Sequence, residues 1–187
     1  MPRLRAIETT DAAPKTKALL EGVQKKLGMI PNIMRTMANS PAVLEAYLGM
    51  SGALGAGSLS SKLREQIALT VAELNGCQYC LSAHSALGKM LGLGEEEIAD
   101  SRRGGSPDRK TEAVLQFARK LVSERGWVSD DDIATLRAAE VSDAELAEIV
   151  AVVALNTFSN YFNHVAETEV DFPEVEPSGI KPSCACS

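Results

Sequence analysis

The chain is organised around residues 72–84, which read AELNGCQYCLSAH. Within this stretch Cys77, Cys80 and His84 fall inside eight residues and include two of the four cysteines and one of the two histidines. Because an α-helix turns by about 100° per residue, these side chains would lie within an arc of about 60° on one helix face. The Asn-Gly pair before Cys77 is typical of a helix end, so the pattern predicts that a new helix begins at this cysteine. A thiol in the first turn of a helix is stabilised as a thiolate, which predicts a dithiol redox site.

The sequence on either side predicts an all-α protein. Aromatic residues make up only 4% of the chain, and no segment rich in Val, Ile, Thr or Tyr alternates as a half-buried strand would. Proline, glycine and capping signals instead predict helices over approximately residues 15–27, 31–38, 62–74, 77–92, 111–124 and 142–164. Further helices are expected to begin near Pro41, Glu95 and Ser129. Glycines at positions 49, 52, 55 and 57 are expected to interrupt the helix that begins at Pro41.

Length and composition suit one globular domain. A chain of 187 residues with 45% hydrophobic residues can bury a core of its own, so we predict a single helical domain over residues 1–172. Prolines at positions 173, 177 and 182 then predict an extended tail over residues 173–187. Such a tail could cover a neighbouring subunit or extend freely.

Charge and hydropathy exclude two classes of partner. The net charge is −6 and no run of lysine or arginine is present, so neither nucleic acid nor an anionic membrane is expected to bind. The longest apolar run, residues 149–155, is too short to cross a bilayer, and the first residues lack the apolar core of a signal peptide. We therefore expect a cytoplasmic protein. In a reducing compartment a Cys-x-x-Cys pair is more often catalytic or metal-binding than structural.

The two halves of the chain suggest an internal two-fold repeat of helices. A shift of 80 residues superposes Glu65, Cys77, Cys80 and His84 on Glu145, Thr157, Asn160 and His164. Neighbouring registers match the apolar positions about as well, and Glu145 also fits a helix capping box, so helical periodicity alone can imitate a repeat. For His164 and the nearby asparagines we expect structural hydrogen-bonding roles at a helix end or a subunit contact.

Glu65, Cys77, Cys80 and His84 together match a family signature. Their spacing, Glu-x11-Cys-x2-Cys-x3-His, resembles that of the alkyl hydroperoxidase D (AhpD)-like branch of the carboxymuconolactone decarboxylase family. The resemblance extends over residues 19–173 approximately and is similar to the peroxidase-related subgroup of that family. It implies an all-helical homo-oligomer that reduces hydroperoxides with its thiols and without a bound cofactor. It also implies an external dithiol, such as a lipoyl group, as the reductant.

The roles of individual residues follow partly from chemistry and partly from this resemblance. A peroxidatic cysteine reacts as a thiolate, and a second thiol rescues its sulfenic acid by condensing with it to a disulfide. The helix start favours Cys77 as the attacking thiol, whereas His84, one turn beyond, favours Cys80. The family pattern assigns the attack to Cys80 and makes Cys77 the resolving thiol. It also makes Glu65 the residue that orients His84 in a proton relay. Tyr79, between the cysteines, is expected to line the substrate entrance.

Other interpretations of the cysteines stay open. Zinc could use Cys-x-x-Cys and His84 as three tetrahedral ligands, but a structural zinc site normally has a second ligand pair, for which Cys184 and Cys186 are the only candidates. We therefore expect no metal. A decarboxylase-type enzyme acting on a small cyclic acid, or a redox-sensing protein without turnover, are alternatives to peroxide reduction. Cys184 and Cys186 could also form a mobile dithiol that passes electrons to a Cys77–Cys80 disulfide, or be incidental exposed thiols.

Overall fold

The computed structural model describes residues 1–179, and within this range every regular element is an α-helix. The helices are α1 (Pro14–Leu27), α2 (Asn32–Met37), α3 (Pro41–Gly55), α4 (Ser61–Asn75), α5 (Gln78–Met90), α6 (Glu95–Arg103), α7 (Arg109–Ser123), α8 (Asp130–Ala138) and α9 (Asp143–Ala166). The prediction of an all-α fold is confirmed. No helix in the described range is long and apolar enough to span a membrane.

The helix starts follow local capping chemistry. The Ser60 side chain accepts a hydrogen bond from the backbone N–H of Leu63 at the start of α4 (3.2 Å). At the start of α9, Ser142 Oγ accepts from the backbone N–H of Glu145 (3.2 Å), and Glu145 Oε2 accepts in return from the backbone N–H of Ser142 (2.8 Å). Each bond satisfies an N–H group that has no partner inside the helix, so the capping residues allow these helix starts to be predicted from the sequence.

The expected interruption of α3 is wrong. The helix continues from Pro41 to Gly55 through the glycines at positions 49 and 52. A glycine in a helix interior costs about 1 kcal/mol relative to alanine, which lowers helix stability without forcing a break. The packing of α3 against α1 and α9, with Leu44 fully buried, offsets that cost.

Helix α4 lies at the centre of the fold and carries part of the candidate site. It packs against α5, α6, α7 and α9, and all residues from 66 to 72 are buried. Two hydrophobic clusters meet along it. Leu69 belongs to the cluster shared with α1, α2, α3 and α5, whereas Ile67 and Val71 belong to the cluster shared with α7, α8 and α9. A helix covered on all sides in this way holds its side chains in fixed positions.

A tight corner joins α4 to α5. Gly76 has a φ of 65°, in the left-handed region, and the backbone N–H of Cys77 returns to the carbonyl oxygen of Ala72 (2.9 Å). This arrangement ends α4 and begins α5 within two residues, so α5 folds back along α4. The corner therefore sets where Cys77 stands relative to the side chains of α4.

Gly76→Ala is expected to destabilise the protein by about 1–2 kcal/mol, because an L-residue is strained at a φ of 65°. No atom lies within 4 Å of the added Cβ, so the cost comes from the backbone alone. Gly76→Asn is the matched control, since asparagine tolerates this conformation better than alanine. Urea unfolding measures both, and equal stability of the two variants would contradict the account.

The internal repeat is not confirmed. Glu145, which the repeat would make the counterpart of Glu65, bonds to Ser142 in the capping box and to the Lys110 ammonium (2.7 Å). Its carboxylate thus stabilises a helix start, whereas Glu65 bonds to a histidine.

Residues 171–178 form an extended segment after α9, which we call the C-terminal strap. It crosses α5, where the backbone N–H of Val175 donates to Ser82 Oγ (2.9 Å). Near its end the backbone N–H of Ser178 donates to Glu73 Oε1 on α4 (2.6 Å). Cys184 and Cys186 lie outside the described residues, so what was predicted for them stays a prediction.

Candidate active site

The two sulfur atoms of Cys77 and Cys80 lie together at the start of α5. Cys77 is the N-cap residue, and its Sγ accepts a hydrogen bond from the backbone N–H of Cys80 (3.3 Å). The two Sγ atoms are 2.8 Å apart, and both residues are free thiols with exposed fractions of 1% and 3%. The pair can therefore share a proton and can close to a disulfide with little movement.

His84 and Glu65 form a close pair beside the thiols. His84 Nδ1 lies 2.7 Å from Glu65 Oε2, and each side chain is about one-fifth exposed. Glu65 comes from α4 and His84 from α5, so the corner at Gly76 brings them together across 19 residues of sequence. The Glu65 carboxylate fixes the ring and leaves Nε2 available to another partner.

A cavity of about 360 Å³ opens onto this group. Cys80 and His84 line it, whereas Cys77 does not. Most of the remaining lining is apolar or aromatic and comes from α1, α2, α3, α5 and the strap: Leu27, Met29, Pro31, Ile33, Met34, Tyr47, Tyr79, Ala83, Ala86, Leu87, Met90 and Phe172. Within the described residues the cavity therefore presents one thiol and one imidazole to a largely apolar ligand.

Two tyrosines form part of the cavity wall. The Tyr79 hydroxyl accepts a hydrogen bond from the backbone N–H of Ile33 (3.2 Å), and its ring meets the Phe172 ring edge to face, with centroids 6.0 Å apart. Burial, followed by the negative charges of Cys80 and Glu65, raises the pKa of Tyr47. Tyr47 thus stays a neutral phenol next to the thiol, and sequence reasoning missed it because α3 carries no motif.

Asn163 of α9 contacts the sulfur pair, and Asn160 lies one turn before it. Asn163 Nδ2 lies 3.2 Å from Cys80 Sγ and 4.0 Å from Cys77 Sγ. Asn160 Oδ1 accepts a hydrogen bond from Asn75 Nδ2 (2.9 Å), while Asn160 Nδ2 and Asn163 Oδ1 are buried without a partner in the described residues. The i, i+4, i+7 spacing of Asn156, Asn160 and Asn163 on an apolar helix is the sequence signal that could have located them.

His164 is the second histidine of the site. It follows Asn163 on α9 and lies near the Cys77 thiol and the Gly76 backbone. Unlike the buried thiols it is exposed to solvent. The sequence predicted a structural role for this histidine, and the structure places it on the side of the sulfur pair where Cys77 lies.

The surroundings of the two thiols push their pKa values apart. A hydrogen bond from Cys80 lowers the pKa of Cys77 well below its usual range; burial opposes this, and the nearby His164 lowers the pKa further. Burial raises the pKa of Cys80, and the neighbouring Cys77 raises it further, while the Asn163 and Asn160 amides lower it. In the resting pair Cys77 therefore carries the negative charge and Cys80 donates the shared proton.

Glu65 favours the protonated form of the His84 imidazole. Burial lowers the pKa of His84, but the charge of Glu65 and its hydrogen bond raise it, with a smaller contribution from the Cys77 thiolate. The net result is a pKa above the ordinary value. A cation held beside Cys80 can donate a proton to a leaving group in the cavity.

His164→Gln is expected to raise the pKa of Cys77, because the variant removes an imidazole that favours the thiolate. The thiolate absorbance in the far ultraviolet, followed against pH, measures this shift. Glu112→Gln, at an exposed position on α7, serves as the surface control. An unchanged titration of the thiol pair in His164→Gln would contradict the contact.

The donor set was also tested for metal binding. Within residues 1–179 no three His, Cys, Asp or Glu side chains are arranged to hold a metal ion.

Comparisons with known proteins agree on one family. The model of the carboxymuconolactone decarboxylase family matches residues 41–124, a range that contains α4, α5 and all of Glu65, Cys77, Cys80 and His84. No curated protein is similar enough in sequence to count as a relative.

Solved structures match over nearly the whole chain. An uncharacterized peroxidase-related protein from Silicibacter sp. TM1040 is 27% identical, with 90% of this chain and 94% of that chain covered and a TM-score of 0.77. The alkylhydroperoxidase AhpD core of an uncharacterized peroxidase-related protein from Ralstonia eutropha JMP134 is 24% identical, with 91% and 92% covered and a TM-score of 0.81.

A third solved structure belongs to a protein that is named for an activity other than peroxide reduction. The debrominase Bmp8, solved in complex with 2,3,4-tribromopyrrole, is 20% identical, with 91% of this chain and 92% of that chain covered and a TM-score of 0.78. At this identity the match shows the fold alone. The family model over residues 41–124 and the peroxidase-related structure that is 27% identical support an assignment of the chain to the AhpD-like carboxymuconolactone decarboxylase family.

Proposed function

We propose that the chain is a thiol-dependent hydroperoxide reductase that cycles Cys77 and Cys80 between dithiol and disulfide. One observation carries the proposal: Cys80 faces an apolar cavity beside His84, with the second sulfur 2.8 Å away. A sulfenic acid formed on Cys80 would have its resolving thiol in contact. The buried free thiols suit a reducing compartment such as the cytoplasm.

The first chemical step consumes the peroxide. Cys80 passes its proton to Cys77 and attacks the terminal oxygen of the hydroperoxide, so that an S–O bond forms and the O–O bond breaks. The leaving alkoxide takes a proton from the His84 imidazolium, and the product is an alcohol. Glu65 holds the ring in place, and its negative charge keeps His84 protonated before the reaction.

The second step closes the disulfide. Cys77 attacks Cys80 Sγ, the S–O bond of the sulfenic acid breaks, and the proton of Cys77 leaves with the hydroxide as water. Over both steps one hydroperoxide is reduced by two electrons and the two thiols are oxidised to a disulfide. An external dithiol, such as a lipoyl group, then restores the thiols by exchange.

The lining of the cavity favours organic hydroperoxides. Methionine, leucine and aromatic side chains around Cys80 bury an alkyl or aryl group well, whereas hydrogen peroxide makes no use of them. We therefore propose that an apolar hydroperoxide is turned over with a higher kcat/KM than hydrogen peroxide.

We also propose a homo-oligomer. An apolar groove between α3 and α9 lies open at the surface and is lined by Ala42, Val43, Ala46, Tyr47, Met50, Ala154, Leu155 and Phe158. Further along α9, Tyr161 and Val165 are exposed. Burial of such a face against a second copy would remove it from water, and Tyr47 would then link the contact to the cavity.

Reductive dehalogenation of an aromatic ring is the second candidate. It is favoured by the ring-lined cavity and by the fold shared with a debrominase. Cys80 would attack the halogen, His84 would protonate the ring carbon, and Cys77 would displace halide from Cys80 to form the same disulfide. Both candidates use the same thiols and differ in the oxidant.

Turnover with defined oxidants tests the proposal. We expect the reduced chain to consume many equivalents of tert-butyl hydroperoxide when dihydrolipoamide is in excess, and to consume brominated pyrroles more slowly. Consumption that stops at about one equivalent per dithiol despite excess reductant would show a redox sensor instead of an enzyme. Turnover of the bromopyrrole alone would assign the second candidate.

A further inference from the structure

The reaction proposed above requires a negative charge on Cys80, where the resting site does not place it. In the resting pair Cys77 carries the charge, and the backbone N–H of Cys80 donates to its sulfur (3.3 Å). Cys80 attacks the peroxide only after its proton has moved to Cys77, which leaves a thiolate on a buried side chain. A buried negative charge is costly unless hydrogen-bond donors face it. We therefore looked for donors that face Cys80 Sγ.

Asn163 supplies one such donor from α9. Its Nδ2 lies 3.2 Å from Cys80 Sγ, and among the described residues it is the only side chain besides Cys77 that forms a hydrogen bond with this sulfur. Asn163 is itself buried, so water does not compete for the contact. In such surroundings an N–H group that faces a thiolate stabilises it more strongly than the same group does in water.

The proton that the two thiols share determines which end of the Asn163 amide faces the sulfur. The two Sγ atoms are 2.8 Å apart, so this proton lies between them and the flank of Cys80 presents sulfur lone pairs to Asn163. An amide N–H can donate to a lone pair, whereas an amide oxygen there would face another acceptor. The N–H group therefore faces Cys80 in the resting state and is already in place when the charge moves to this sulfur.

The position of this amide leaves the line between the two sulfurs free. Asn163 Nδ2 is 3.2 Å from Cys80 Sγ and 4.0 Å from Cys77 Sγ, and with the 2.8 Å between the sulfurs these distances form a nearly right-angled triangle at Cys80. The donor therefore flanks the sulfur pair. Cys77 attacks the Cys80 sulfenic acid along the line that joins the sulfurs, so the hydrogen bond from Asn163 can persist through both chemical steps.

A second amide of α9 holds an unused donor next to the first. Asn160 lies three residues before Asn163, so both side chains lie on the same face of the helix, and Asn160 is fully buried. Its Oδ1 accepts from Asn75 Nδ2 (2.9 Å), while its Nδ2 has no partner in the part of the chain that the structure describes. The Asn160 amide also lowers the pKa of Cys80. A buried donor without an acceptor is unfavourable, and a charge that develops on Cys80 would give it one.

We propose that the Asn163 and Asn160 amides form a two-donor site that stabilises the Cys80 thiolate as it attacks the hydroperoxide. The inference rests on the function proposed above and adds two groups to its mechanism. Asn163 contacts the reacting sulfur and is a catalytic residue, whereas Asn160 gains an acceptor only when charge reaches Cys80. An interaction that is stronger in the transition state than in the resting state lowers the barrier of the chemical step.

Removal of the nearer donor tests the two-donor site in turnover. Asn163→Leu keeps the branching of the side chain but has no N–H group, and it should lower kcat/KM for tert-butyl hydroperoxide by about 100-fold, with most of the loss in kcat. Asn156→Leu is the matched control, because Asn156 is a buried amide two turns earlier on α9 whose Nδ2 donates to the carbonyl oxygen of Val152 (2.9 Å). Equal losses in the two variants would overturn the inference.

Titration of Cys80 tests the donors without peroxide. In a Cys77→Ser background, the rate at which iodoacetamide alkylates Cys80, followed against pH by peptide mass spectrometry, reports the pKa of this thiol. Asn163→Leu and Asn160→Leu should each raise that pKa, because each removes a donor that favours the thiolate, so alkylation should begin at a higher pH than in the parent. The variants and the parent share the other titratable groups near the thiol: Tyr47, Glu65, Tyr79, His84 and His164. An unchanged or lowered pKa in Asn163→Leu would overturn the inference.

The two experiments separate this inference from the function on which it rests. A wild type that consumes no peroxide would overturn the function, whereas alkylation of Cys80 needs no peroxide and still decides whether the amides act on the thiolate. Normal turnover together with an unchanged alkylation profile in Asn163→Leu would overturn the inference alone. Urea unfolding shows whether each variant is folded, and Asn160→Leu, which leaves the Asn163 contact in place, provides the same titration test if Asn163→Leu does not fold.

Discussion

Cys80→Ser is expected to lower kcat/KM for tert-butyl hydroperoxide by on the order of 1,000-fold or more, because it removes the only thiol that lines the cavity within residues 1–179. Serine has nearly the same shape and keeps a hydrogen-bonding group near Asn163, so unfolding free energy should change by less than about 1 kcal/mol. Steady-state peroxide consumption and urea unfolding measure the two effects.

Cys77→Ser provides the matched comparison. It leaves the attacking sulfur in place but removes the thiol that closes the disulfide, so the Cys80 sulfenic acid should form and persist. Mass spectrometry after dimedone labelling should find the adduct on Cys80 in this variant. An adduct on Cys77 in Cys80→Ser, together with rapid peroxide loss, would reverse the two assignments.

Glu65→Gln is expected to lower kcat/KM by about 100-fold at neutral pH, the range typical of a lost proton transfer. Glutamine keeps the shape and a hydrogen bond to His84 but removes the charge that raises the pKa of His84. The imidazole then loses its proton at a lower pH, so a smaller fraction of it can protonate the leaving alkoxide at neutral pH.

The effect of Glu65→Gln on activity is expected to depend on pH in a definite direction. In wild type the raised pKa of His84 keeps the acid form present to higher pH, and activity that depends on it is lost as pH rises through that value. In Glu65→Gln the same loss should occur at lower pH, so the defect should shrink under acidic conditions. Glu112→Gln is the control for removal of a carboxylate elsewhere. A uniform loss at all pH values would mean that Glu65 acts only on the structure.

Local sequence pattern was sufficient for the centre of the site. Cys80 and His84 are one turn apart on α5 and line the same cavity, as the pitch of one helix requires. Cys77 is the N-cap residue just before α5, and its capping hydrogen bond from the Cys80 backbone N–H holds it beside Cys80. Glu65 could be predicted as a site residue because its spacing matched a family signature. In the structure the corner at Gly76 brings it to His84. Capping signals located the helix starts for the same reason, since each depends on residues within one turn.

The parts of the site that depend on long-range packing could not be predicted from the sequence. Asn163 reaches Cys80 across 83 residues of sequence, and Tyr47 and Met34 reach the cavity from α3 and α2. The sequence also could not predict which thiol of the pair carries the negative charge, because this depends on the burial of Cys80 and on His164 beside Cys77. The position at a helix start favoured Cys77 as the thiolate of the resting pair, whereas the cavity favours Cys80 as the sulfur that attacks. The two assignments are compatible, because a proton shared by the thiols can move from Cys80 to Cys77 before the attack.

The most direct measurement of the central claim is the product of a single turnover in the Cys184→Ser, Cys186→Ser background, which confines oxidation to the buried pair. We predict that one equivalent of tert-butyl hydroperoxide yields one equivalent of alcohol and one Cys77–Cys80 disulfide in mass spectra. Unreacted peroxide with both thiols still free, or oxidation of Cys80 to sulfinic acid without the disulfide, would contradict the account.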